Sequence, residues 1–224
     1  RHTFRIFSEP TPVTETEDER RARRAFGGEV DGPSRQLARY VDRVAREYVD
    51  GADPMMVYRL DRFGRGGHHR PFNDAGFPAV RIMEAHEHSH RQHQDVRTEA
   101  GIEYGDVIEA VDFEYASRLT AVNVATLASL AWAPPAPTGV EVSGAGTGST
   151  TLAWQPVESK ALAGYSVYWR LTTEPQWTQH QLVRLKATHT MEGVVIDNYL
   201  FGVASVSQDG NESVVSFAKP APGR

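Results

Sequence analysis

Gly66 to Asp95 reads GGHHRPFNDAGFPAVRIMEAHEHSHRQHQD and holds six of the nine histidines of the chain: His68, His69, His86, His88, His90 and His93. Imidazole is the commonest protein metal ligand and titrates near neutral pH. Within the stretch, Pro78 to Met83 reads as a strand and Arg70 to Ala75 as one short helical turn. The histidines therefore fall in loops at strand ends, where α/β proteins carry their chemistry.

Working outward, Thr3 to Phe7 alternates polar and apolar residues and predicts a short strand. The mixed-charge run Glu15 to Arg24 reads as a solvated helix or loop. Ser34 can cap a helix, SRQLARYVDRVAREYV, in which Leu37, Val41, Val44 and Tyr48 share one face and arginines the other. Met55 to Leu60 reads as a buried strand. Downstream, Phe113 to Trp132 is apolar around most of its circumference, which predicts a well-buried helix covering one face of a sheet. This succession is the rhythm of an α/β sheet.

Pro134-Pro135-Ala136-Pro137 stops that helix and reads as a linker. The expected division is therefore an α/β unit over 1–133, a linker over 134–137 and an all-β unit over 138–220. Beyond Thr138 the segments Thr150 to Trp154, Gly164 to Arg170 and Tyr199 to Val206 alternate, with a turn at Asp209-Gly210-Asn211. The Leu152-x-Trp154 pair, the Gly164-Tyr165-x-Val167-x-Trp169-Arg170 strand and the Tyr199-x-Phe201-x-Val203 strand resemble a fibronectin type III domain. Trp154, Tyr165 and Tyr199 are then expected in the sandwich core, and His180 and His189 at the surface. The resemblance implies a binding or spacer module whose partner the fold does not name.

Composition narrows the chemistry. A net charge of −5 gives no electrostatic reason to expect nucleic acid or an anionic membrane as partner. No apolar run approaches the ~20 residues that a membrane span needs. With no cysteine in the chain, thiolate catalysis and Cys-type zinc sites are excluded, and any metal must be held by His, Asp or Glu. The first residue is Arg1, from which a processed product or a fragment is expected.

Three readings of the histidines compete. His86-Glu87-His88-Ser89-His90 satisfies H-E-x-x-H, which serves metalloproteases only on a helix, where residues i and i+4 reach one zinc. Here it follows a strand and lacks helical periodicity. Alternatively, four histidines between His86 and His93 make a weak, adventitious divalent-metal site. The third reading rests on Gly66-Gly67-His68-His69-Arg70-Pro71-Phe72, then Gly76-Phe77-Pro78-Ala79-Val80, then Arg91-Gln92-His93-Gln94-Asp95, in that order. These resemble the last third of the catalytic domain of the co-catalytic zinc exopeptidases, the family of bacterial leucyl aminopeptidases, glutamate carboxypeptidase and the glutaminyl cyclases.

What the resemblance implies is an α/β/α sandwich, incomplete at its N-terminal side over 1–133, and two zinc ions that activate a water for hydrolysis of a peptide substrate. His93 matches the last zinc ligand, with His90 as the alternate. His69 matches the histidine of an Asp-His turn lining the pocket, and His68 stands where the family has aspartate. Arg91 occupies another position that the family gives to the ligand, and it cannot bind a metal. The other ligands and the glutamate base would precede Arg1, so no general base is expected in this chain and the chain alone should be inactive. The expected partner is that missing N-terminal part, and the expected location is secreted or periplasmic. The alternative is a non-catalytic scaffold, an outcome the same family shows in transferrin-receptor ectodomains.

Overall fold

The computed structural model describes residues 2–221. Strand β1 (His2–Ser8) forms the centre of a three-stranded sheet. It pairs in parallel with β2 (Ala52–Val57) and antiparallel with β3 (Val80–Glu84). Parallel neighbours require a crossover, which is supplied by helices α1 (Glu17–Phe26) and α2 (Pro33–Tyr48). A capping box between Thr16 and Glu19 starts α1, and Gly27, at φ +86°, ends it. No residue of α1 is buried, in keeping with the solvated-helix reading.

Phe4 and Ile6 of β1 are fully buried and pack against Ala38, Val41 and Ala45 of α2. Val122 of α4 (Phe113–Trp132) completes this core. Asp112 caps α4, its carboxylate accepting from the Tyr115 amide at 2.9 Å. The short helix α3 (Arg70–Asp74) and a hairpin of β4 (Arg97–Glu99) and β5 (Ile102–Tyr104) complete this half.

Several expectations need correcting. Helix α2 starts at Pro33 with Gly32 as its cap, so Ser34 lies inside it and makes no capping bond. Strand β2 begins three residues before Met55, because Gly51 at φ +75° makes the turn that releases the chain at Ala52. It is also only partly buried, since it lies at the sheet edge, where Pro54 is tolerated. Helix α4 has the expected bounds but not the expected burial: only Val122 and Thr126 are buried. Phe113, Val124, Leu127 and Trp132 are 60–68 % exposed. One side rests on α2 and the sheet, while these four side chains stay exposed.

The C-terminal half is a β-sandwich. One sheet has the order β10-β7-β6-β13, from β6 (Thr138–Ser143), β7 (Ser149–Gln155), β10 (Thr188–Glu192) and β13 (Lys219–Pro220). The other has the order β12-β11-β8-β9, from β8 (Leu162–Leu171), β9 (Gln179–Arg184), β11 (Tyr199–Ser207) and β12 (Ser216–Phe217). Leu152, Trp154, Tyr165, Val167, Phe201 and Val203 fill the space between, and Tyr199 is half-buried at its margin. His180 is exposed and His189 half-buried on the periphery.

Candidate functional site

The histidine stretch is held by two buried or half-buried carboxylates. Asp61, in the loop after β2, is buried beside His69. Its Oδ1 accepts from the Arg62 amide at 2.7 Å, while Oδ2 lies 3.6 Å from Arg81 Nη1 and 3.8 Å from His69 Nδ1. His69 Nε2 sits 2.7 Å from the Leu60 carbonyl, an acceptor, so Nε2 carries the hydrogen of that bond. The ring is thereby fixed with Nδ1 facing Asp61. Gly67 lies against all three groups, and a Cβ there would crowd Arg81 Nη1 and come within 2.8 Å of Asp61 Oδ2 and 2.9 Å of His69 Nδ1, so a larger residue must displace these side chains.

The walls of this corner are tied together. Asn73 Oδ1 accepts from the Ala79 amide at 2.8 Å, closing the loop between α3 and β3. Ser34 Oγ donates to the Ala79 carbonyl at 2.6 Å, linking that loop to the start of α2.

Glu87 is the second anchor. Its carboxylate accepts from Arg5 at 2.8 Å, Arg62 and Gln92 at 3.0 Å and Arg65 at 3.2 Å. Burial pushes its pKa up, but the hydrogen bonds from Arg5, Gln92 and Arg62 outweigh it and hold the group at about 2. A carboxylate so low and so fully engaged cannot serve as a general base near neutral pH. The residues of H-E-x-x-H also lie in a bend and turn rather than on a helix. Both observations remove the single-zinc helix reading.

Of the expected site residues, His69 is buried, His68 is exposed, His90 is half-buried and His93 is exposed. His90 packs edge-on against Tyr104 (centroids 5.1 Å apart) and against His88 (5.6 Å). The Gly105 amide donates to the His90 carbonyl at 2.9 Å, so the β4–β5 hairpin folds back on this residue. His93 is different. It has φ +55°, a left-handed conformation uncommon for non-glycine residues and concentrated at functional sites. His86 and His88 are exposed.

Among the described residues, no group of three or more His, Asp or Glu side chains is placed to hold a metal ion. The His, Asp and Glu donors of the described residues are thus not gathered as a zinc site in this structure, and no reaction step is derived through a metal from them. Sequence reasoning missed Asp61 and the anchoring role of Glu87. Asp61 lies outside the histidine stretch, and the arginines on Glu87 come from β1 (Arg5) and from the loop after β2 (Arg62 and Arg65).

The chain is 42 % identical over 222 residues to a probable zinc metalloprotease of Leptosphaeria maculans, covering 99 % of this chain and 51 % of that one. It is 40 % identical over 222 residues to one of Pyrenophora teres (98 % and 46 %) and 38 % identical over 229 residues to one of Pyricularia oryzae (99 % and 45 %). The chain thus spans about half the length of the curated relatives it matches. No family model matches it. Among solved structures, a Fn3-like protein from Clostridium thermocellum aligns with TM-score 0.34 and 21 % identity, over 41 % of this chain and 96 % of that one. The FN5 domain of Drosophila Lar aligns with TM-score 0.30 and 19 % identity, over 40 % and 99 %.

Proposed function

We propose that this chain is the C-terminal part of a secreted or periplasmic zinc-dependent exopeptidase of aminopeptidase type, which contributes one metal ligand to a two-zinc site completed by the preceding half of the protein. The observation that carries the reading is a pairing. Relatives matched over nearly the whole chain are called zinc metalloproteases, yet the chain covers only about half of them and groups no three metal donors among its described residues. His93, exposed and held in a left-handed backbone, is the assigned ligand, with His90 as the alternate. The packing of His90 against Tyr104 favours His93. His69, oriented by Leu60 and Asp61, and His68 line the pocket for a peptide substrate.

The proposed partner is the preceding half itself. The exposed apolar faces of α4 and the free edges of the three-stranded sheet are where it would seat. The peptide 1–133 is then one part of a larger α/β/α catalytic unit. Zinc binding compared between this chain and the complete protein tests the reading. The complete protein should retain two zinc ions through exhaustive dialysis, and this chain none. A zinc pair held tightly by this chain alone overturns it. A complete protein that binds neither zinc nor peptide points instead to the non-catalytic scaffold.

A further inference from the structure

We infer that the β-sandwich is a built-in wall of the α/β half, clamped to α2 through Asp31, and not a module swinging on the Pro134–Pro137 segment. The observation is a sheet buried on both faces. Along β8, Tyr165, Val167 and Trp169 point into the sandwich core. The alternate residues Ser166, Tyr168 and Arg170 point outward, where a free sandwich meets water, yet all three are buried. Helix α2 shows the reciprocal pattern: Arg39, on its polar side, and Gln36 are buried and bonded to the sandwich half through Pro175 and Trp177.

Asp31 joins the two surfaces. Its carboxylate accepts from Arg170 Nη2 at 2.8 Å and 2.9 Å, from Arg39 Nη1 at 2.7 Å and from Gln36 Nε2 at 3.1 Å. The Trp177 ring closes over it, 5.3 Å from the Arg170 guanidinium, and its indole N–H donates to Gln36 Oε1 at 3.0 Å. Arg39 Nε reaches the Pro175 carbonyl at 2.7 Å. A second joint lies beside it, where Glu212 accepts from Arg43 of α2 at 2.8 Å and from Tyr168 at 2.6 Å. The Tyr40 hydroxyl donates to the Glu212 carbonyl at 2.9 Å. At the far edge Phe217 lies against Gly28, and Lys219 pairs with Glu19 at 3.1 Å. A buried ion pair fixes orientation more than it adds affinity. With two joints and an aromatic cover, one relative placement of the halves satisfies all the charges.

The test is to insert a specific protease site between the exposed Pro135 and Ala136 of the full chain, cleave it, and run gel filtration at micromolar concentration. The cleaved halves should co-elute as one species and unfold in one calorimetric transition. Asp31→Asn should weaken their association at least tenfold, with Trp177→Ala as a second variant should Asp31→Asn fail to fold. Wild-type halves that separate after cleavage, or that unfold in two independent transitions, overturn the inference. Asp31→Asn and Trp177→Ala halves that stay together as tightly as wild type overturn the role of the Asp31 joint. None of these readouts involves zinc, so the result is independent of the metal reading.

Discussion

Glu87 shows how a residue's neighbours decide its chemistry. In the sequence it stands where H-E-x-x-H puts a general base, but in the fold three arginines and Gln92 consume it. Its folded pKa of about 2 lies below the ordinary 4.5, so its contribution to stability is present above about pH 4.5 and is lost as pH falls toward 2. Thermal unfolding of wild type should therefore weaken over that window, and Glu87→Gln should flatten the dependence there. An unchanged profile in the variant would sink the assignment. Gly67 gives a steric prediction: its missing Cβ leaves room for Asp61, His69 and Arg81. Gly67→Ala should destabilise the chain by about 1–3 kcal/mol in urea unfolding, the usual cost of overpacking. The histidines were legible as a cluster, and their division was not. His69, His90 and His93 differ by a carbonyl, a tyrosine and a backbone angle that residue type does not encode.

Among the elements, the long helix separates what periodicity reports from what a chain can satisfy. The apolar pattern of Phe113 to Trp132 fixed the bounds of α4, but a pattern says which faces seek burial and not whether their partner is present. Leu127→Ser should accordingly change the stability of this chain by less than about 0.5 kcal/mol in chemical denaturation. The same substitution should destabilise the complete protein by about 1–3 kcal/mol if the preceding half covers it. Val122→Ala, in the core, should cost about 1–3 kcal/mol in both. Equal, small effects of Leu127→Ser in both proteins would count against a covering partner. The β4–β5 hairpin escaped the sequence reading because Ala100-Gly101, with φ +49° and +79°, makes a turn usually announced by Asn-Gly.

At the scale of the whole molecule, alternation revealed β1, β7, β8 and β11, since each strand carries its own two-residue period. The burial of the outer face of β8 was not legible, because Asp31 and Arg170 stand 139 residues apart. Nor does any local pattern say that Arg35 and Arg39 of α2 face protein and not water. The two halves of the structure nevertheless lead to one claim. Helix α2, fixed by the sandwich on one side, holds the Ala79 carbonyl through Ser34 and so supports the strand that leads into the histidine loop. In the proposed reading that loop contributes one ligand, His93, to a site completed by the preceding half. The decisive measurement is the zinc content of the complete protein carrying His93→Ala or His90→Ala, with circular dichroism to establish folding. His93→Ala is expected to lose at least one of two zinc ions and His90→Ala to keep both. Retention of both ions by His93→Ala, or loss confined to His90→Ala, would contradict that reading.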